Sequence, residues 1–239
     1  MNEVIVIASG KGGVGKTVFA ANMGAVLAQR DAKVLLLDMN MGLRNLDLCL
    51  GMESRVVYDV ADVLSGVCRL KQALIRDRRF SELYLMSAAQ GKETTGVEIE
   101  KVTALYEKLK EMFDYIIVDA PTGIGRGLQL AAAAADRAVI VAIPEYASLR
   151  DADMVDRILT DYGITKRKYV VNKVKADLFG QGSFPSLEEM SEVLRMEMAG
   201  VIQYDENIHI AANNGVPIVY KKGTYVSDNF NHIVDRILR

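Results

Sequence analysis

An apolar run, Val4-Ile5-Val6-Ile7, leads into Gly10-Lys11-Gly12-Gly13-Val14-Gly15-Lys16-Thr17, and that junction restricts the chain to few folds. The eight residues fit G-x-x-x-x-G-K-[ST], and an apolar-periodic stretch, Phe19–Met23, follows them. Strand, glycine turn and helix start are the setting in which this pattern binds a nucleoside triphosphate. Successive N–H groups of a glycine turn point into one concavity. The helix that begins near Lys16 adds its positive dipole end. Lys16 then reaches the β- and γ-phosphates, and the Thr17 hydroxyl ligates Mg²⁺. Gly10, Gly12, Gly13, Val14, Gly15 and Val18 complete the phosphate-contacting stretch. Lys11 sits inside the turn and cannot easily fold back onto its own loop's phosphates. In a dimer it would reach the neighbour's γ-phosphate as an arginine finger does; alone it is a solvated surface lysine.

Short Val- and Ile-rich runs alternate with amphipathic stretches through the rest of the chain. The strands are expected at Val4–Ala8, Val34–Asp38, Leu83–Met86, Tyr115–Asp119, Ala138–Ile143, Tyr169–Asn172 and Gly200–Ile202. Helices are expected at Thr17–Arg30, Tyr58–Leu64, Glu98–Met112, Leu128–Ala135, Ser148–Tyr162, Ser186–Arg195, Asn207–Asn214 and Ser227–Leu238. Such alternation predicts an α/β fold, a mostly parallel twisted sheet with helices on both faces. With 239 residues, four prolines and no repeat or low-complexity linker, the chain reads as a single P-loop NTPase domain, residues 1–239. Its ligands should gather at the carboxyl ends of the strands.

Composition narrows the function. A net charge of −2 argues against a dedicated nucleic-acid binder, so no specific nucleic acid is expected. No apolar run approaches a membrane span and no signal peptide opens the chain, which points to the cytoplasm. Cys49 and Cys68 lie too far apart for a metal pair and read as free thiols. His209 and His232 are the only histidines, so a His-centred triad is not expected. Lys166-Arg167-Lys168 reads as a solvated loop.

Tyr115-Ile116-Ile117-Val118-Asp119 is an apolar strand ending in a carboxylate. Beside a phosphate loop, Asp119 is expected to hold Mg²⁺ directly or through water; otherwise it caps a turn. Asp38 ends the second strand in the same manner and is a further Mg²⁺ candidate. Tyr169–Lys173 is a strand ending in Asn172-Lys173. Guanine recognition needs a carboxylate two residues later, and that place holds Lys175, which only donates. Asn172 remains able to bond adenine, so ATP and ADP are expected over guanine nucleotides.

The loop Lys11–Thr17 resembles the deviant Walker A loop of the MinD/ParA ATPase family. Gly42-Leu43-Arg44-Asn45-Leu46-Asp47, Arg55–Val60, Gln72–Ile75, Ser148–Asp153 and Asn214–Pro217 are similar to the MinD branch, and the likeness spans nearly the whole chain. The resemblance implies an ATP-dependent homodimer that hydrolyses ATP, responds to Min-system activator or inhibitor proteins and serves division-site selection. It implies an Asp-x-Asp in the first switch, whose second carboxylate positions the attacking water. Here that place holds Asn40. An amide cannot accept the water's proton, although its carbonyl can orient the water. Lys11, Lys16 and Asn40 are thus the expected catalytic set, and slow hydrolysis follows from Asn40. The rival readings are a nucleotide-gated scaffold with little hydrolysis and a ParA-type partitioning ATPase. The family's second base-binding segment corresponds to Val201–Asp205, where Gln203 replaces a proline and Gln203 and Asp205 would contact the base. MinD-type chains end in a basic amphipathic membrane helix, and that tail is expected to be absent here. The apolar stripe Phe230, Ile233, Val234, Ile237 and Leu238 is expected to face the core rather than a lipid surface.

Overall fold

A computed structural model describes residues 2–91, 96–175, 177 and 183–239. The Val, Ile and Leu runs form strands whose alternate residues enter two separate cores. The strands are β1 (Glu3–Ala8), β2 (Val34–Asp38), β3 (Ile75–Arg76), β4 (Leu83–Met86), β5 (Tyr115–Asp119), β6 (Arg137–Ala142), β7 (Lys166–Val174) and β8 (Glu197–Gln203). They make one sheet in the order β3-β4-β2-β5-β1-β6-β7-β8. Every pairing is parallel except β3 with β4.

The helices between them are α1 (Lys16–Ala28), α2 (Leu46–Cys49), α3 (Val60–Leu64), α4 (Leu70–Ala73) and α5 (Ile99–Lys110). The remainder are α6 (Arg126–Ala131), α7 (Tyr146–Asp161), α8 (Leu187–Leu194), α9 (Glu206–Asn213) and α10 (Tyr225–Leu238). Val4, Val6, Leu35, Leu37, Ile116 and Val118 face a core closed by α3 to α8. Their neighbours Ile5, Ile7, Val34, Leu36 and Ile117 face the other core, under α1 and α10. This period of two is the pleat of a strand buried on both faces.

Burial explains why the last helix belongs to the core. Phe230, Ile233, Val234 and Ile237 are buried, and Phe230 stacks on Phe19 of α1 with centroids 6.0 Å apart. Thr224 Oγ1 caps the helix by accepting the Ser227 N–H at 3.1 Å. At the far end the Arg137 guanidinium donates to the Ile237 carbonyl, and Lys168 Nζ donates to the Arg236 carbonyl at 2.5 Å. Two cations from strand starts thereby satisfy carbonyls that a helix terminus leaves open.

Several boundaries depart from expectation. Lys166-Arg167-Lys168 is not a solvated loop but the opening of β7. Lys168 is buried between Glu197, at 3.0 Å, and the end of α10, while Arg167 pairs with Asp156 at 2.5 Å. Their partners lie far off in sequence. Helix α7 starts at Tyr146 rather than Ser148, with Glu145 at its N-cap, and Ser148 is buried inside the first turn, where its Oγ accepts the Ile143 N–H at 3.1 Å. The strand β3, of two residues, was too short to leave a pattern. Helix α6 spans Arg126–Ala131, earlier and shorter than expected.

Candidate nucleotide site

The sheet brings the expected residues to one edge. β1 ends at Ala8, and the chain turns through Ser9–Gly15 into α1. Gly13 and Gly15 hold φ of 75° and 91°, the left-handed region that favours glycine. A Cβ on Gly15 would also lie 2.4 Å from Asn172 Nδ2, and one on Gly10 would lie 2.6 Å from the Asp151 carbonyl oxygen in α7. The loop is therefore packed against β7 on one side and α7 on the other.

Under the loop, Asp119 gathers the two side chains of the helix start. Lys16 Nζ lies 2.6 Å from Asp119 Oδ1, and Thr17 Oγ1 donates to Asp119 Oδ2 at 2.7 Å. Both charged groups are almost wholly buried. β2 and β5 run in register with Asp38 beside Asp119, so two carboxylates sit on adjacent strand tips. Burial first, and the Asp119 charge second, push the Asp38 carboxyl up to about 6. Both Asp38 oxygens are engaged. The Asn40 N–H donates to Oδ1 at 2.8 Å, and the Asn45 and Leu46 N–H groups donate to Oδ2 at 3.2 and 3.1 Å. Asp38 thus folds residues 40–46 into a tight turn at the head of α2, in addition to standing beside Asp119.

A cavity of about 380 Å³ opens at this point, lined by Ser9, Gly12–Val18, Asn40, Leu43, Asn45, Cys49 and Thr122. Asn40 is on its wall. Ser9 Oγ, at its floor, is buried with no hydrogen-bond partner among the described residues. A hydroxyl, a lysine and a carboxylate oxygen beneath left-handed glycines form a set of donors and hard oxygen ligands. That set suits a phosphate chain carrying Mg²⁺. A second cavity of about 530 Å³ shares Val18, Asn45 and Cys49 with the first and continues between α2 and α9. Cys49 stands where the two meet. Burial, then the carboxylates of Asp119, Asp38 and Asp47, push its thiol up to about 12, so it stays protonated at neutral pH.

Several side chains around the loop have partners that the sequence does not show. The Asn172 amide Nδ2 donates to the Val14 carbonyl at 2.8 Å. Lys173, which the sequence reading passed over, adopts φ 57° and donates from Nζ to the Gly13 carbonyl at 2.7 Å. The Asn-Lys pair braces the phosphate loop. Lys175 Nζ lies 4.8 Å above the Tyr204 ring. Asp205 caps α9, accepting the Asn207 N–H at 2.8 Å, and Gln203 ends β8 at the surface. Lys11 Nζ pairs with Glu145 of its own chain at the start of α7. Glu145 was also missed; its only sequence signal is its place just after Pro144 at the carboxyl end of β6. No helix among the described residues is long and apolar enough to cross a membrane.

The same arrangement occurs in known proteins. A family model described as an AAA domain matches residues 2–165. The septum site-determining protein MinD of Bacillus subtilis is 40% identical over 240 residues, covering 100% of this chain and 90% of that one. MinD of Synechocystis sp. is 42% identical over 222 residues, covering 93% and 84%. Among solved structures, a chain of the MinC:MinD cell division protein complex of Aquifex aeolicus superposes with a TM-score of 0.91 at 40% identity, covering 99% of this chain and 96% of that one. Pyrococcus horikoshii MinD complexed with Mg-ADP gives 0.87 at 26% identity, with 99% and 96% covered. With relatives this similar over its full length, the chain belongs to the MinD family of septum site-determining proteins.

Proposed function

We propose that the chain is an ATP-dimerising ATPase switch of division-site selection, and that it holds Mg·ATP in the cavity beneath residues 10–18. The convergence of Lys16 and Thr17 on Asp119 carries this reading. When ATP binds, Lys16 exchanges the Asp119 carboxylate for the β- and γ-phosphate oxygens. Thr17 and Asp119 hold Mg²⁺, with Asp38 behind them, and the ion neutralises charge between those phosphates. Water attacks the γ-phosphorus in line, the bond to the β-phosphate bridging oxygen breaks, and ADP leaves with that electron pair. Asn40 orients the water through its carbonyl and takes no proton, so the proton passes to phosphate oxygen or solvent. Lys11 must leave Glu145 to reach the γ-phosphate bound by a second copy of the chain. The adenosine lies toward the cleft between α2 and α9.

The Mg-ADP complex of Pyrococcus horikoshii MinD supports the nucleotide and the metal, and the MinC:MinD complex supports a partner of the MinC kind. Peripheral placement at the inner face of the membrane belongs to the same reading. Calorimetry with Mg·ATP tests it: wild type should bind and Lys16→Ala should not. Failure of wild type to bind removes the proposal.

Asn40 favours a second reading, a nucleotide-gated scaffold that dimerises and barely hydrolyses. Restoring the carboxylate decides between them. Asn40→Asp should release phosphate at least tenfold faster if the missing carboxylate limits turnover, since a positioned base contributes on the order of 10²-fold. Equal rates would discard the limitation assigned to Asn40.

A further inference from the structure

Helix α9 buries none of its residues, whereas every other described helix of eight residues or more buries at least two. A helix this short holds together chiefly through a packed face. The first turn of α9 is fixed by Asp205, whose Oδ1 accepts the Asn207 N–H and Asn207 Nδ2, each at 2.8 Å. Further along, the His209 ring stands against Tyr204, with centroids 5.7 Å apart and planes inclined by 48°. Lys175 Nζ lies 4.8 Å from the centroid of the same Tyr204 ring. Ammonium, phenol and imidazole form one cluster, and His209 is its member on a cavity wall.

That cavity is the one of about 530 Å³ between α2 and α9, which shares Val18, Asn45 and Cys49 with the phosphate cavity. The two differ in charge. Lys16 lines the phosphate cavity, whereas neither lysine nor arginine among the described residues lines the other, and Glu53 does. Phosphate groups are thereby held to the first, and a flat uncharged group suits the second. His209, Ala212 and Asn213 lie three and four positions apart and share one face of α9, and all three line the cavity. The imidazole offers a ring for stacking, Ala212 leaves room beside it, and the Asn213 amide offers both a donor and an acceptor to the edge of a heterocycle. Every nucleobase has a π-face that stacks on such a ring.

We propose that His209 is the side chain on which the purine of the nucleotide stacks, so that α9 carries the affinity for the base. This rests on the reading of the neighbouring cavity as the Mg·ATP site. Tyr204 is a positioning residue: it packs against the imidazole, and Lys175 holds Tyr204 in turn. The base supplies α9 with the packed face that the helix otherwise lacks. Occupancy of the cavity by a base therefore slows the opening of α9, which the phosphates alone do not do.

Calorimetry with Mg·ATP and with Mg·tripolyphosphate, which carries no base, tests it. His209→Ala should weaken Mg·ATP about tenfold and leave Mg·tripolyphosphate unchanged, while His209→Phe should bind Mg·ATP within about threefold of wild type. Tyr204→Ala should weaken Mg·ATP about threefold. Hydrogen exchange supplies a second readout: the amides of α9 should exchange more slowly with Mg·ATP than with Mg·tripolyphosphate in wild type, and the difference should vanish in His209→Ala. The proposal is overturned if His209→Ala binds Mg·ATP like wild type, if His209→Phe is as weak as His209→Ala, or if both ligands weaken equally, which would mark a structural role. Wild type that binds neither ligand removes the nucleotide reading, and this proposal with it. Wild type that binds Mg·ATP, with the alanine variant unchanged, removes this proposal alone.

Discussion

Replacing Lys16 by methionine should destabilise the nucleotide-free chain far more than a surface lysine substitution would. The stem of Lys16 is buried to within 6% of full cover, Asp119 is fully covered, and their charged atoms are 2.6 Å apart. Methionine fills most of the stem but leaves the Asp119 carboxylate with the Thr17 hydroxyl as its remaining side-chain partner. The Asp38 carboxylate on the adjacent strand adds repulsion. Removing one member of a buried pair costs about 3–5 kcal/mol, because the survivor stays desolvated and unpaired. Against a total stability of about 5–15 kcal/mol, that is a large fraction. Urea unfolding without nucleotide or Mg²⁺ measures it, and with a slope of about 3 kcal/mol/M the midpoint should fall by about 1 M or more. Lys16→Met combined with Asp119→Asn should cost less than the sum of the single changes, with a coupling of about 3 kcal/mol. A loss below about 1 kcal/mol for Lys16→Met would refute the premise that a dry ion pair holds the empty loop.

Three further outcomes can be checked on the same protein. Phe230→Ala should cost about 3–5 kcal/mol, read as a lowered urea midpoint, because Phe230 is buried against Phe19; a surface-like loss would mean the last helix is not core. Gly10→Ala should cost about 1–3 kcal/mol by calorimetric melting, since its Cβ would meet the Asp151 backbone of α7 at 2.6 Å; an unchanged melting temperature would contradict that packing. Asp38 titrates near 6 in the folded chain and near 3.8 when unfolded, so the folded state binds the extra proton between those values. Its contribution to stability therefore falls as pH rises from about 4 to about 6, by about 3 kcal/mol, and is flat above. The difference in unfolding free energy between wild type and Asp38→Asn should shrink over that window, and a constant difference would exclude the shift.

The sheet and the phosphate loop were legible because their signals are local. β2, β4 and β5 fall on the expected residues since each is an apolar run closed by a polar residue or a turn. The loop was legible because few residues other than glycine accept φ near 90° with a neighbour's side chain 2.4 Å from the missing Cβ. What escaped depends on distant partners. Lys168 looks solvated until Glu197 and the Arg236 carbonyl are placed beside it. Asn172 shows its amide in the sequence but not its bond to the Val14 carbonyl, 158 positions away. Asp38 shows its carboxylate in the sequence but not the three backbone N–H groups that occupy it.

The grip of Asn172 and Lys173 on the Val14 and Gly13 carbonyls has a thermodynamic consequence. With those two oxygens tethered from β7, the peptide planes of the turn cannot flip freely, and their amides keep one orientation before any anion arrives. An incoming triphosphate meets a receptor already set, so little backbone entropy remains to be lost on association. Severing the tethers would let the turn wander among conformers. The penalty would then surface as a less favourable entropy of nucleotide capture, with the enthalpy of the phosphate contacts largely retained.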